Sequence, residues 1–470
     1  MDFREHRVTE LAAQVRSGKI SARELTEAAL ARIEALDPQL NAFVTTADEQ
    51  ALADADAIDE RIADGQSVGR LAGIPLAVKD LEDAAGLPTR YGSLLSSEDP
   101  AEGDSVLVSR LRAAGCVVVG KTTTPEYGHK GVTESPLSGS TANPWDLERS
   151  PGGSSGGSAA ALAAGMVPLA TGSDGGGSIR IPSALCALSG IKTTQGRVPN
   201  GGPTPPGSGL LSVKGPMARL IDDVAYALDV CLGPHPTDPF SLPWTGVSLY
   251  EGLDQVYLPP SIGWSPTMGF AQVDDEVATI CQAAMDRLAG AGTNVITIDS
   301  IWDEDPVMPW LTMWTTSRVR TQGHLADSPD YEKVDESMRQ QIEWGNGVSG
   351  ADMARSIDAV HTLNLDLDAA FEQAPLLVTP TCAGQTPVRG HDGTINGEEV
   401  PGWVAFTYGL NMTRNPAGTV NVGFTEDGMP VGLQVIGRQL QDMAVLQMLK
   451  TLEVLFGTDR VASLDWVDDV

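Results

Sequence analysis

From about residue 70 the chain alternates short apolar runs with a segment of helical spacing. Residues 74–78 and 116–119 are apolar runs of strand length, and residues 106–114 between them repeat apolar positions as an amphipathic helix does. Strands that are apolar throughout need cover on both faces, which helices can supply. This alternation predicts an α/β fold, a single large α/β/α domain whose mixed central sheet is covered by helices on both faces.

Further elements are predicted on either side of this alternation. The first sixty-odd residues are predicted to be helical, with Ser21 and Glu24 at the spacing of a capping box. Near the end, the apolar runs 419–424 and 431–436 flank an Asp-Gly pair, which predicts a hairpin. The middle of the chain is predicted to contain a strand at 255–258, a helix around 277–288 and a strand at 295–298.

The charge of the chain limits its partners. Its 62 Asp and Glu residues outnumber its 31 Lys and Arg residues, so an acidic surface is expected to repel nucleic acid and anionic membranes. The N-terminus lacks an apolar signal region and no apolar stretch reaches the length of a spanning helix, which predicts a cytoplasmic protein. The five cysteines are scattered, which predicts buried small side chains and neither disulfides nor a metal site.

Two stretches rich in glycine and serine follow the first strands, PGGSSGGSAAALAAG at 151–165 and GSDGGGSIR at 172–180. Each glycine loses much backbone freedom on folding, so such stretches need a reason to be held rigid. The three glycines at 175–177 can turn successive N–H groups into one concavity, which would hold an oxyanion beside Ser178. A phosphate-binding or purely structural glycine turn is the alternative.

A serine hydroxyl is a weak nucleophile at neutral pH, so such a site also needs a base. Lys79 ends the first apolar run, and a buried strand would place its amine inside the protein, where desolvation lowers the pKa of a lysine. The alternative is that Lys79 lies at the surface and pairs with Asp80. None of the six histidines stands in a distinctive setting, so a histidine base is not indicated.

Three literal motifs compete with this interpretation. Residues 115–122 satisfy the phosphate-loop pattern, but the middle of the motif is a strand-like apolar run where a loop is needed. Residues 189–192 match the SxxK motif without its companion motifs. Ser155 stands in a GxSxG pattern, but a polar loop precedes it, whereas the nucleophile elbow follows a strand. All three motifs are therefore disfavoured.

The segments GIPLAVKD, GGSSGGS and DGGGSIRIPSALCALSGIK together resemble the signature blocks of the amidase signature family of serine hydrolases, and the likeness extends over most of the chain. The resemblance implies a Ser-cisSer-Lys triad, with Ser178 as nucleophile, Ser154 as relay in a non-proline cis peptide, and Lys79 as base. It also implies an oxyanion hole and residues that support the surrounding loops. The residues carried over are Gly175, Gly176, Gly177 and Ser178 for the oxyanion hole, through their backbone N–H groups, and Ser155, Asp174 and Arg180 for the support.

This sequence departs from the family pattern at two positions. Gly175 stands where the family usually has threonine or a β-branched residue, and Thr193 stands where a proline is common. Neither change removes a catalytic group, although the extra glycine could loosen the oxyanion hole.

The activity that the resemblance implies is hydrolysis of carboxylic amide C–N bonds through an acyl-enzyme, with no cofactor and no metal. The expected partner is a small-molecule amide or carbamate, and a homodimer is compatible with the resemblance. The chain divides into an N-terminal helical segment at 1–65, the signature core at 66–230, a variable substrate-pocket region at 231–345 and the C-terminal part of the same domain at 346–470.

The variable region suggests the substrate class. Trp310, Met313 and Trp314 have helical spacing there, which indicates either a pocket wall for apolar or aryl amides, anilides or carbamates, or a helix that faces the core. The A-type component of a tRNA-dependent amidotransferase is an alternative, but its RRxxLGTY-like block is matched only weakly, at 315–324. A non-catalytic scaffold that binds acyl amides is the other alternative, and the intact triad disfavours it.

Overall fold

The architecture is described by a computed structural model for residues 1–203, 205, 207, 209–244, 246–254, 257–457 and 460–467. The strands are β1 (Phe43–Thr46), β2 (Pro75–Lys79), β3 (Val117–Thr122), β4 (Glu134–Ser135), β5 (Gly139–Ser140), β6 (Leu169–Asp174), β7 (Gly190–Lys192), β8 (Val213–Met217), β9 (Ser261–Trp264), β10 (Asn294–Thr297), β11 (Leu376–Pro380), β12 (Thr394–Ile395), β13 (Glu398–Glu399), β14 (Ala417–Phe424) and β15 (Pro430–Gly437).

The α-helices are α1 (Val8–Arg16), α2 (Ala22–Leu40), α3 (Asp48–Ala63), α4 (Val106–Ala113), α5 (Gly156–Ala163), α6 (Arg180–Leu185), α7 (Ile221–Cys231), α8 (Asp275–Gly290), α9 (Val307–Gln322), α10 (Glu336–Asn346), α11 (Gly350–Phe371), α12 (Gly409–Met412) and α13 (Asp442–Phe456). Short 3-10 helices lie at Phe3–Glu5, Glu126–Gly128, Glu251–Leu253, Gly323–Asp327, Tyr331–Lys333 and Pro401–Val404.

Two mixed sheets joined by a bridge form the centre of the fold. The first sheet has the strand order β1-β3-β2-β6-β8, and β2 runs parallel to both of its neighbours. The second has the order β10-β9-β11-β15-β14-β7, with β9 parallel to both neighbours and the other pairs antiparallel. An antiparallel bridge between Ser189 and Ala218 connects the β7 edge of the second sheet to the β8 edge of the first.

Helices cover both faces of these sheets. Successive residues of a strand point to opposite faces, and every residue of β2, β3, β6, β11 and β15 is buried. Helices α2, α3 and α5 pack against the first sheet, while α6, α8 and α13 pack against the second. The predicted α/β fold, with a mixed sheet that helices cover, is confirmed.

Most of the predicted elements are present. The apolar runs form β2 and β3, the segment between them forms α4, and the helix predicted around 277–288 is α8. The predicted hairpin is the antiparallel pair of β14 and β15. The capping box also forms, since Ser21 Oγ accepts a hydrogen bond from the Glu24 N–H at 2.9 Å and the Glu24 carboxylate accepts one from the Ser21 N–H at 2.7 Å.

Two predictions about elements differ from the structure. The N-terminal sixty residues are not wholly helical, because β1 lies between α2 and α3 and pairs with the edge of β3. The strand predicted at 255–258 is wrong in its second half, where Tyr257 and Leu258 are exposed and belong to no strand. Its first half, Gln255 and Val256, lies outside the described residues. The strand of this region is β9, which starts at Ser261 and contributes Ile262 and Trp264 to the core.

The cysteines are buried, as predicted, and all five are free thiols. Among the helices of the described residues, none combines the length and the apolar character that crossing a membrane requires.

Candidate active site

Two parallel strands bring the predicted site residues to one edge of the first sheet. β2 ends at Lys79, and its neighbour β6 ends at Asp174, directly before the three consecutive glycines. The carboxyl ends of parallel neighbours lie at the same edge, which is where open α/β sheets place their sites. The first glycine-rich stretch approaches this edge as it leads into α5 at Gly156.

Lys79 is fully buried, and its amine lies among three serine hydroxyls. The distances from Nζ are 2.7 Å to Ser154 Oγ, 2.8 Å to Ser155 Oγ and 3.0 Å to Ser173 Oγ. A hydroxyl can both donate and accept a hydrogen bond. This arrangement can therefore accommodate the amine in either protonation state.

The environment of Lys79 favours the neutral amine. Burial lowers the pKa of Lys79 to about 7, and nearby carboxylates, Glu82 foremost, only partly oppose this effect. The alternative of a surface lysine paired with Asp80 is wrong, because Asp80 is itself buried and pairs with Lys121 at 3.0 Å. A lysine with a pKa near 7 can act as a general base at neutral pH.

The first glycine-rich stretch holds Ser154 against this amine. The peptide bond between Gly153 and Ser154 is cis, as the resemblance implies. A side chain at Gly153 would bring its Cβ to 2.8 Å from the backbone of Val132, so only glycine fits there. Ser155, predicted to support the loop, contacts the Lys79 amine through its hydroxyl, which also accepts a hydrogen bond from the Ser173 N–H at 3.3 Å.

Asp174 fixes the second glycine-rich stretch. Its carboxylate accepts hydrogen bonds from the N–H groups of Gly177 at 2.8 Å and Ile179 at 3.2 Å, and from Arg180 Nε at 2.9 Å. Burial alone would raise the pKa of the Asp174 carboxyl, but the charge and hydrogen bonds of Arg180 outweigh it and hold that pKa below its usual range. Arg180 also donates to Asn411 and Gln434 from the C-terminal part of the chain. The predicted supporting pair is thus a buried ion pair.

The turn formed by residues 175–178, here called the glycine turn, has free N–H groups. Among the described residues, the N–H groups of Gly175, Gly176 and Ser178 donate to no protein acceptor. The N–H of Gly177, which was also predicted for the oxyanion hole, donates to the Asp174 carboxylate at 2.8 Å and so helps to hold the turn. Gly177 has a φ of 125°, a conformation that favours glycine.

A cavity of about 440 Å³ opens onto these groups. Ser154, Ser173, Gly175 and Ser178 all line it. Ser178 is half-buried, and no hydrogen bond joins its Oγ to that of Ser154 among the described residues. Catalytic hydrogen bonds in unliganded sites are often long and tighten when substrate binds. Other parts of the wall include the apolar and aromatic side chains of Leu81, Tyr91, Tyr127 and Trp314 and the charged residues Glu82, Lys214 and Arg318.

The three predicted pocket residues on α9 have different surroundings. Trp314 lines the cavity. Trp310 and Met313 do not line it and pack, partly buried, against the apolar cluster that includes Trp302 and Phe406. Of the three predicted positions, only Trp314 therefore lines the cavity, and its ring also belongs to the buried apolar cluster. Further along the same helix, Arg318, Arg320, Thr321 and Gln322 line the cavity as well.

Several site residues were missed by sequence reasoning. Ser173 contacts the Lys79 amine, and its neighbour on the same face of β6, Thr171, accepts the Lys79 backbone N–H at 2.9 Å. The two hydroxyl residues at alternate positions of one strand were the available signal. Tyr91 comes from a turn and Tyr127 from the 3-10 helix Glu126–Gly128. Their rings stack with centroids 5.5 Å apart, and no local pattern indicated them.

Comparisons with known proteins identify the family to which this chain is similar. A family model described as amidase matches residues 24–446. The chain is 36% identical over 461 residues to an acylamidase of Rhodococcus erythropolis, covering 95% of this chain and 94% of the relative. It is also 31% identical over 471 residues to the 6-aminohexanoate-cyclic-dimer hydrolase of Paenarthrobacter ureafaciens, with 95% and 94% covered. A component of the glutamyl-tRNA(Gln) amidotransferase of a Synechococcus species is 34% identical over 482 residues, with 96% and 97% covered.

A solved structure gives the same fold. The structure of a bacterial aryl acylamidase of the amidase signature enzymes matches with a TM-score of 0.89 at 29% sequence identity. The match covers 96% of each chain.

Proposed function

Because this chain belongs to the amidase family and is a hydrolase of amide C–N bonds, we propose that Ser178, Ser154 and Lys79 perform the reaction as nucleophile, relay and base. One observation carries this assignment. The amine of the buried Lys79 lies 2.7 Å from the hydroxyl of Ser154, at a cavity that Ser178 also lines. The assignment is supported because an amine, a hydroxyl and a second, accessible hydroxyl surround one volume in which a carbonyl can bind.

The proposed reaction has two halves. In the first, Ser178 Oγ bonds to the amide carbon while its proton passes to Ser154, and the proton of Ser154 passes to the neutral amine of Lys79. The C–N bond breaks as a proton returns through Ser154 to the leaving nitrogen, which yields a free amine and an acyl ester on Ser178. Water then attacks this ester by the same relay and releases the carboxylic acid.

The glycine turn supports the charged intermediate in this proposal. Negative charge develops on the carbonyl oxygen when Ser178 attacks, and N–H groups held beforehand stabilise it without reorganisation. Gly175, Gly176 and Ser178 have N–H groups available for this purpose among the described residues. We therefore assign the oxyanion hole to these three N–H groups.

Replacing Ser178 tests the triad. Ser178→Ala is expected to lower kcat on any cleaved amide at least about a thousandfold, since the acyl-enzyme can no longer form. Ser183→Ala is the matched control, because Ser183 is a buried serine on α6 whose hydroxyl has no hydrogen-bond partner among the described residues. A fluorophosphonate should also label Ser178, as mass spectrometry of the digested enzyme would show. Full activity of Ser178→Ala would refute the assignment, and the absence of any label would favour a binding scaffold.

For the substrate, we propose apolar or aryl amides, anilides or carbamates. The cavity wall next to Ser154 and Ser178 contains the rings of Tyr91, Tyr127 and Trp314. Trp314 belongs to the region 231–345, which we propose as the variable pocket region. Burying a phenyl ring against such a wall contributes about 1.5–3 kcal/mol.

A small panel of amides tests this preference. Benzamide and acetamide both release ammonia, so their comparison isolates the acyl group, and kcat/KM should be at least about tenfold higher for benzamide. The nitroanilide of acetic acid tests the amine side, and glutamine tests the activity of the amidotransferase relative. Faster turnover of acetamide would contradict the aryl preference. Faster turnover of glutamine would favour the A-type component of an amidotransferase instead.

A further inference from the structure

The glycine turn lacks the side chains that usually hold a turn in place. Residues 175–177 are consecutive glycines, and Asp174 fixes only the far end of the turn, through the N–H of Gly177. The peptide between Gly175 and Gly176 carries the N–H of Gly176, one of the free donors. Its orientation therefore needs another support.

Trp310 occupies the position of that support. A side chain at Gly176 would bring its Cβ to 2.6 Å from the ring of Trp310, so the indole lies directly on the turn. Indole Nε1 donates a hydrogen bond to the carbonyl oxygen of Gly175 at 3.0 Å. The neighbouring indole of Trp314 lies similarly close to Gly175, at 2.7 Å from the place of its missing Cβ.

The hydrogen bond from Trp310 determines where the N–H of Gly176 points. The carbonyl of Gly175 and the N–H of Gly176 belong to one planar peptide group, so fixing the first also fixes the second. The next peptide is held separately, since Thr407 Oγ1 donates to the carbonyl of Gly176 at 2.6 Å and the N–H of Gly177 donates to Asp174. Of these two peptides, only the one that Trp310 holds presents a free N–H.

The indole of Trp310 is itself held firmly. It stacks on Trp314 with ring centroids 5.1 Å apart and an interplanar angle of 19°. The Trp310 ring also contacts the ring of Tyr408, with centroids 5.5 Å apart. The Tyr408 hydroxyl in turn donates a hydrogen bond to Asp305 at 2.6 Å. A donor on a stacked and anchored ring has little freedom to move during the reaction.

We propose that Trp310 is a positioning residue, which aims the N–H of Gly176 at the oxyanion by holding the carbonyl of Gly175. This inference rests on the proposed function, because it requires that the glycine turn binds the oxyanion. It adds to that function a contribution to kcat from Trp310, which does not line the cavity.

Two replacements at Trp310 test the proposal. Trp310→Phe keeps an aromatic ring for stacking and removes the N–H donor, and 3-benzothienylalanine keeps the shape of indole with sulfur in place of that N–H. Both should lower kcat for the nitroanilide of acetic acid about tenfold, which corresponds to about 1.4 kcal/mol. KM should change less than about twofold, because the lost interaction acts in the transition state. The rate of Ser178 labelling by a fluorophosphonate should fall similarly.

Trp344→Phe is the matched control, since Trp344 lies on α10 and is 40% exposed. It should leave kcat unchanged. Thermal unfolding of each variant should occur near the wild-type midpoint. If Trp310→Phe does not fold, the kcat of the benzothienyl variant tests the proposal. Unchanged kcat in either folded variant would overturn the proposal, as would a loss that appears only in KM. Failure of Ser178 to be labelled in the wild type would instead refute the proposed function.

Discussion

Two buried lysines show how the same burial can serve different purposes. Lys79 on β2 and Lys192 on β7 are both fully buried, and burial lowers the pKa of each to about 7. The amine of Lys79 faces three serine hydroxyls. The amine of Lys192 faces the backbone carbonyl oxygens of Asn415 and Thr193.

The difference lies in what the partners can do with a proton. A hydroxyl can donate a proton to the amine and accept one back, whereas a carbonyl oxygen only accepts hydrogen bonds. Lys79 can therefore take part in a proton relay, while Lys192 can only connect two segments of backbone. A pKa near 7 thus marks a lysine as a candidate base only when the partners of its amine can exchange protons.

Exchanging each lysine for methionine gives the largest expected contrast. Lys79→Met should lower kcat about a thousandfold, within the range for loss of a general base. Lys192→Met should leave kcat of the folded enzyme within about threefold of the wild type and act mainly on stability. Nitroanilide hydrolysis, together with thermal unfolding, measures both effects. An equal loss of kcat in the folded Lys192 variant would abolish the distinction.

The pH dependence of kcat/KM also distinguishes the two lysines. The base must be neutral to act, and the pKa of Lys79 is lowered to about 7, so kcat/KM should fall about tenfold for each pH unit below that value. Above it, the neutral form dominates and kcat/KM should level off. Lys192→Met should show the same profile as the wild type. If kcat/KM of the Lys192→Met variant no longer fell below pH 7, the titrating group would be Lys192.

The smallest expected effect concerns the third hydroxyl at Lys79. Ser173→Ala removes one hydrogen bond to the amine and should lower kcat about threefold to tenfold, the usual range for one such bond. Ser183→Ala again serves as the matched buried control. Steady-state kinetics on the nitroanilide would measure the change. If Ser173→Ala kept the wild-type kcat, only the hydroxyls of Ser154 and Ser155 would remain as partners of the Lys79 amine that contribute to the reaction.

Much of the fold could be predicted because several of its strands are continuous apolar runs of strand length. β2, β3 and the hairpin of β14 and β15 are of this kind. β9 was missed because its four residues, Ser261–Trp264, include a serine and a glycine. That glycine leaves room for its neighbours, since a Cβ at Gly263 would lie 2.8 Å from the side-chain ends of Ile298 and Leu377.

The site divides in the same way. Lys79 and Ser178 could be proposed because a strand end and a glycine-rich segment mark them locally, whereas Ser154 was singled out by the family resemblance. Of the supports of the glycine turn, Asp174 was predicted from its place in the signature. Trp310 and Thr407 were not predicted as supports, because they reach the turn from segments more than a hundred residues away. Helical spacing indicated that Trp310 lies on the side of its helix that faces the pocket or the core. It did not indicate which backbone group Trp310 would contact.

The ion pair of Arg180 and Asp174 connects segments that are far apart in the chain. Asp174 ends a strand of the first sheet, while Arg180 donates to Asn411 and to Gln434 on β15 of the second sheet. The glycine turn is therefore built from both halves of the chain. A split enzyme cut in the loop at 234–243 would have the proposed triad in one fragment, and Trp310, Thr407, Asn411 and Gln434, which contact the glycine turn or Arg180, in the other. Activity in such a system would report the reassociation of the fragments.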